Sequence, residues 1–550
     1  MAQAVRRALH AGIALSAALL FWRLGSSPFW DQDEAKYAGI AREILRTGEW
    51  ITLQWNGEPW FVHPPLYFWL LAATGRLFGV TEFVARFWSA VPGVLGVGVT
   101  GLLGRELFGS RCGLLSAFVL ATTLQWWVQA RLAVFDPLLV LWMLLSFLGF
   151  WRGYAWGERR AYLLAFVASG LGTLTKGFVA AVIPGGVGLL FLALRRELHR
   201  LRAVPWPAGI LLYAGLGGGW YGIQAALHGE AFVRTALGYY TLNRYVGVVE
   251  GQSGPIWYYV PVLLLGLLPW TAFLFGGCSG ALRAWRDPRF LYLLVWLGFG
   301  FVFFSLAGTK LPNYVLSLYP AAAILIGRAL ETGVFEGRGE PRGGWRLLVI
   351  FCALFAAVVA VYGGLRYPSQ TRALVPALVP PVAAMVAGGG MAAWLGLRGS
   401  VGPAVLAVGG SSLLFFALAI GITLPEVDRH RWGPEMGRAA ASVVRPGDVR
   451  IGYRITNSLI TYSGLHWRYA GDEASLRGAL CAVPSHRRAV VVVPERFHDP
   501  GLFSGLRMVR RVGDHLLLEK PAGEKVPECV RPSAPPTPQR TRPPRAGSPR

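Results

Sequence analysis

Residues 31 to 37 read Asp-Gln-Asp-Glu-Ala-Lys-Tyr, three carboxylates within four positions of a chain whose formal net charge is +24. Acids packed this closely suit two tasks: proton abstraction from a reacting hydroxyl, or the capping of a helix N-terminus. Asp31, Asp33 and Glu34 are followed by Tyr37, Ile40, Ile44 and Leu45 at helical spacing, so an amphipathic helix lying on the membrane surface is expected to start here. One acid would be enough for a cap, which leaves others to explain. A further acid, Asp136 in "RLAVFDPLLVLW", heads an apolar run, where an uncompensated carboxylate is costly and usually functional. Its structural alternative is an N-cap ahead of Pro137. Lys36, Lys176, Arg244 and Lys310, with His63, Tyr314 and Asn243, supply cations and hydrogen-bonding groups. Carboxylates and cations in one pocket suit a reaction in which a phosphate leaves and a hydroxyl or phosphate attacks.

These residues need elements to hold them, and the composition says where those elements sit. Hydrophobic residues make up 54% of the 550 and charged ones only 15%, against about 25% charged in a soluble domain. The chain therefore reads as a polytopic α-helical membrane protein. Spans of roughly 20 apolar residues each are expected to number about thirteen, centred near residues 17, 96, 121, 143, 168, 186, 214, 266, 298, 321, 355, 384 and 413. The basic connections "RELFGSR", "WRGYAWGERR", "RRELHRLR", "LRAWRDPR", "EGRGEPRGGWR" and "LRGS" all fall on one side, which places them and the N-terminus in the cytoplasm. That distribution accounts for the positive charge by topology and argues against a nucleic-acid partner. Residues 27–84 and 226–256 become outer loops. Arg6 and Arg7 before the first apolar run imitate a signal peptide, but no small-residue cleavage site follows, so the first helix is expected to stay. The five cysteines show no paired spacing of the metal-binding kind, although Cys481 and Cys529 lie where they could meet outside the membrane.

Residues 1–424 thus form the transmembrane domain. From 425 to 522 the hydrophobic density falls and "DVRIGYRI", "RAVVVVP" and "HLLLEK" alternate with helical stretches, which predicts a small extracytoplasmic α/β domain. Residues 523–550, rich in Pro and Arg, are expected to be a disordered tail.

The stretches "DEAKYAGIAREILRTGEW", "NGEPWFVHPPLYFWLLAATGRLFGVTEFVARFWSAV", "VFDPLLVLW", "LTKGFVAAVIPG", "GQSGPIWYYVPVLLLGLLPW" and "FSLAGTKLPNYVLSLYPA" follow one another in that order. Together they resemble the bacterial glycosyltransferases related to protein O-mannosyltransferases and to the aminoarabinose transferases of lipid A, membrane enzymes of the GT-C fold. The likeness runs from about residue 24 to 330. It implies inverting transfer of a sugar from a polyprenyl-phosphate donor to an extracytoplasmic glycolipid, protein or glycan. Carried over by motif, Asp33 and Asp136 match the family's two acids, and Asp33 is its general base or orients the acceptor. Glu34 is counted with the substrate-binding groups, its other reading being a cap or a residue that tunes its neighbour. Lys36 stands where the family usually has Arg, while Arg244 and Tyr314 match the groups that hold the donor phosphate. Lys176 and Lys310 lie in matching motifs and add positive charge.

The departures concern metal. In the aminoarabinose branch Glu-Lys precedes the two prolines, whereas here the segment is Val62-His63-Pro64-Pro65, and Thr241 stands three places before Arg244 where that branch has His. The Glu and His are that branch's metal-binding pair, so no cofactor is expected. His63 then contacts phosphate or acceptor in place of Lys, or makes a structural hydrogen bond. Two other classes remain to be weighed. A flippase of polyprenyl-linked sugars predicts mid-span acids and internal repeats, and neither is visible; a scaffold with a degenerate site predicts loss of Asp33 or Asp136, and both are present.

Overall fold

The computed structural model describes residues 2–31, 33–336, 342–366, 368–497, 503 and 505–524, so most of the expected tail lies outside the described residues. The chain divides into two compact units, Met1–His430 and Arg431–Arg550.

Among the described residues seven helices of the first unit are long and apolar enough to cross a membrane, or up to eight if one bent pair is a single span. They include Glu82–Phe108, Asp136–Trp156 and Pro288–Leu306, which carry or flank the candidate site. Other expected centres fall on shorter or interrupted helices. The span anticipated near residue 121 stops at Ala121, and the one near 266 is bent by 110° between Tyr259–Gly266 and Thr271–Arg283. The two breaks meet: the Leu124 N–H donates to the Leu268 carbonyl at 3.0 Å. Broken helices at membrane depth require such mutual satisfaction, because lipid offers no hydrogen bonds.

The helix expected at the acidic cluster is present as Asp33–Thr47. It does more than lie on a surface, since Glu34, Ala35, Tyr37, Ala38, Gly39, Ile40, Ala41 and Ile44 are all buried. Small residues between the larger ones let it settle deep against Leu66–Phe78. Tyr37 meets Phe68 edge-on at 5.3 Å and stacks on Phe135 at 5.1 Å. Burial of a side chain the size of Ile40 or Ile44 is worth roughly 1.5–3 kcal/mol, so this face fixes the helix and, through Phe135, the segment leading to Asp136.

The second unit has a five-stranded sheet in the order Arg468–Ala470, Val449–Tyr453, Ala489–Pro494, His515–Lys520, Arg507–Val512. The first three strands are parallel and the last two join antiparallel. Alternation along "AVVVVP" sends Val491 and Val493 to one core, shared with Leu476 and Leu480, and Val490 and Val492 to another, shared with Met436 and Leu459. A strand buried on both faces is the pattern of a sheet covered by helices on either side. Cys481 is disulfide-bonded, while Cys112, Cys278 and Cys352 are free.

Candidate active site

Asp136, Lys176, Arg244 and Tyr314 come from four separate segments, each placed by a local feature of the sequence. Asp136 is the first residue of the helix Asp136–Trp156, with Phe135 in the cap position and Pro137 just inside. Its carboxylate does not serve as a cap. One oxygen accepts from Lys176 Nζ at 2.5 Å and the other from Asn313 Nδ2 at 3.0 Å, and the residue is 2% exposed. Lys176 ends the helix Arg159–Lys176, and Gly177 follows at φ 114°, a conformation that favours glycine and turns the chain into the next helix. The Lys176 ammonium lies 5.1 Å from the ring centres of both Phe135 and Tyr314, a cation–π arrangement that leaves its charge available to the space between them.

Arg244 and Tyr314 are brought together by two loops that pair along their backbones. Gly308 N–H donates to Tyr245 O at 2.7 Å, Thr309 N–H to Arg244 O at 3.2 Å and Lys310 N–H to Gln252 O at 2.9 Å. A side chain at Gly308 would collide with the Gly247 carbonyl, so only glycine permits this approach. Arg244 Nε then donates to the Tyr314 hydroxyl at 2.8 Å and its Nη2 to Gln252 Oε1 at 3.0 Å.

These groups top a cavity of about 320 Å³. His63, Asp136, Lys176, Arg244, Asn313 and Tyr314 line it together with the apolar Leu139, Met143, Val179, Val182 and Phe303, and Leu139 and Met143 lie one and two turns along the helix from Asp136. Asp33 and Lys36 lie within electrostatic reach. Asp33 is accessible to water yet surrounded by protein. Burial is the largest influence and raises its pKa; Lys36 pulls it down, Asp136 pushes it up, and Lys176 and Arg244 pull it down again. His63 is held well below its ordinary value by burial, then by Lys176, Arg244 and Lys36, so its imidazole is neutral. Its ring sits 4.6 Å from Phe135 and 5.6 Å from Trp60.

Two expected site residues are placed elsewhere. Glu34 is 2% exposed and forms a bidentate pair with Arg86, at 2.9 Å to Nε and 2.8 Å to Nη2. It also accepts from the Trp30 N–H at 2.8 Å and the Ala133 N–H at 2.5 Å. Arg86 in turn donates to the carbonyls of Leu24, Ser27 and Pro28. Glu34 thus fastens the segment before its helix, through Arg86 and Trp30, to the approach to Asp136. The Lys310 ammonium is buried and donates to the carbonyls of Ser305 and Ala307, capping the end of a helix instead of joining the cavity. Asn313, Gln252 and Arg86 were not anticipated. A lone Arg in the apolar run "TEFVARFWSAV" was the available signal for the last, since such a charge needs a buried partner.

Burial and then the cations Lys176, Arg244 and Lys36 act on His63, and among the described residues there is no group of three or more His, Cys, Asp or Glu that could hold an ion.

An acid beside a cationic cavity, on a frame of apolar helices, is the arrangement that known membrane glycosyltransferases can be compared with. Residues 62–216 match the family described as dolichyl-phosphate-mannose-protein mannosyltransferase. The undecaprenyl phosphate-alpha-4-amino-4-deoxy-L-arabinose arabinosyl transferase 2 of Sodalis glossinidius is 30% identical over 378 residues, 66% of this chain and 67% of that protein. The corresponding transferase of Pseudomonas aeruginosa (strain UCBPP-PA14) is 31% identical over 354 residues, 63% of each. Among solved structures, ArnT from Cupriavidus metallidurans bound to undecaprenyl phosphate has the same fold, with a TM-score of 0.79 at 24% identity, covering 93% of this chain and 98% of that one. The chain belongs to the GT-C superfamily of membrane glycosyltransferases. Matches to several of the curated relatives span less than two thirds of their length, 54% for the transferase of Edwardsiella ictaluri. These relatives are transferases, which does not favour a flippase.

Proposed function

We propose that this protein transfers a sugar from a polyprenyl-phosphate donor to an acceptor on the extracytoplasmic side of the membrane, with inversion at the anomeric carbon. The observation that carries the reading is the cavity itself: Lys176, Arg244 and Tyr314 for a phosphate, together with apolar side chains for an isoprenoid chain.

The chemistry follows from what each group can do. The phosphodiester of the donor sits against Arg244, whose guanidinium is aimed by the Tyr314 hydroxyl and Gln252. Asp33 accepts the proton of the acceptor hydroxyl as its oxygen attacks the anomeric carbon. The carbon–oxygen bond to phosphate breaks on the opposite face, and polyprenyl phosphate leaves with the electron pair. Charge builds on that phosphate in the transition state, where Arg244 and Lys176 stabilise it without having to be reorganised. Asp136, locked between Lys176 and Asn313, orients the ammonium and is not positioned as the base. The acceptor is a glycolipid, protein or cell-envelope glycan, and no metal takes part in these steps.

On this reading the N-terminus is cytoplasmic and the second unit extracytoplasmic. The disulfide at Cys481 supports that side, because disulfides persist in oxidising compartments. Purified protein in nanodiscs should release undecaprenyl phosphate from a labelled undecaprenyl-phosphate sugar when a membrane extract is added as acceptor source. Folded protein that releases none from any polyprenyl-phosphate sugar would contradict the proposal.

A further inference from the structure

Resting on the donor reading above, the charge arrangement narrows the kind of sugar. The charged groups acting on Asp33 are the cations Lys36, Lys176 and Arg244 and the carboxylate Asp136. With Asp33 itself, three positive charges face two negative ones. A polyprenyl-phosphate sugar is a phosphodiester with one negative charge, so its phosphate alone brings the cluster to balance. A positive charge on the sugar would unbalance it.

Neither acid is available to pair with such a charge. Asp136 is 2% exposed, with one oxygen on Lys176 and the other on Asn313. Asp33 has to keep its carboxylate for the acceptor proton, and an ammonium held there would lower its basicity. The remaining polar wall of the cavity includes His63, Asn313, Thr241, Tyr240, Tyr314 and Ser317, groups that hydrogen-bond to hydroxyls and carry no charge to match an amine. His63 lines the cavity and is held between the ring of Phe135 and that of Trp60, with ring nitrogens able to donate to or accept from a hydroxyl. Burial first, and then the field of Lys176, Arg244 and Lys36, disfavour charge on this imidazole, and that same field would act against an ammonium placed beside it.

We propose that the transferred sugar is uncharged and bears hydroxyls, with His63 reading one of those hydroxyls, and that the cavity discriminates against sugars carrying a cationic amino group. The test is displacement of radiolabelled undecaprenyl phosphate from the full-length protein in nanodiscs by two matched probes, undecaprenyl phosphate arabinose and its 4-amino-4-deoxy counterpart. The neutral probe should bind tighter by on the order of tenfold at pH 6.5. The gap should close at pH 9.5, where the sugar amine loses its proton, and Val62→Glu, which adds a carboxylate to the wall, should narrow it at pH 6.5. His63→Ala should weaken the neutral probe by about fivefold, one hydrogen bond's worth, and leave undecaprenyl phosphate itself unchanged. Equal or tighter binding of the amino probe at pH 6.5 overturns the proposal. Equal loss for the sugar probe and bare undecaprenyl phosphate in His63→Ala overturns the role of His63. Failure to bind undecaprenyl phosphate at all refutes the donor reading and this inference with it.

Discussion

Glu34→Gln is a small change with a large expected consequence. One carboxylate oxygen of Glu34 accepts from Arg86 Nε and the Ala133 N–H, and the other from Arg86 Nη2 and the Trp30 N–H. Whichever oxygen becomes the amide nitrogen, two donors then face an NH2 group that can only donate. The guanidinium, 3% exposed, also loses its counter-charge. Breaking a buried pair by removing one partner costs about 3–5 kcal/mol, so thermal and denaturant unfolding of the solubilised protein should show a loss of that order. Because Glu34 adjoins Asp33 and grips Ala133 just before Asp136, kcat should fall even at temperatures where the variant is folded. The double variant Glu34→Leu/Arg86→Met should be destabilised by less than the sum of its single variants, since it leaves no uncompensated charge. A Glu34→Gln protein within about 0.5 kcal/mol of the parent, a change typical of neutral surface substitutions, would refute the fastening role.

Other expectations follow from the same geometry. Arg244→Ala should weaken undecaprenyl phosphate binding by roughly 10–100-fold, the range of a hydrogen bond to a charged group, whereas Lys310→Met should lower stability and leave the dissociation constant unchanged; isothermal titration separates the two. Turnover requires Asp33 ionised, and its raised pKa places the acid limb of the pH–rate profile above the ordinary Asp value of about 3.9. Lys36→Met removes the largest lowering influence and should move that limb to still higher pH. Burial and the neighbouring cations hold His63 well below its ordinary value, so no limb should appear near about 6.5. EDTA should leave the rate unchanged, and strong inhibition would show that a metal does take part.

How far the chain could be read in advance depended on whether a residue's partners were close in sequence. The apolar runs, the helix from Asp33 and the buried strand "AVVVVP" follow from local pattern and were visible. The pairing of Asp33, Asp136, Arg244 and Tyr314 came through ordered motifs, which give position without geometry. Side-chain direction was not available. Nothing local says that Lys310 turns back onto the carbonyls of its own helix end, or that Glu34 turns inward to Arg86 while Asp33 remains open to water. Both outcomes depend on partners set by packing. The helix breaks at residues 122–123 and 267–270 were equally hidden, because they pair with each other across the fold.

The most direct test is Asp33→Asn. Nanodisc-embedded Asp33→Asn protein should bind undecaprenyl phosphate as the parent does, because Arg244 and Tyr314 are untouched, yet release none from a labelled undecaprenyl-phosphate sugar in the presence of acceptor. An Asn variant that releases it at the parent rate would contradict the assignment of Asp33 as the group that takes the acceptor's proton.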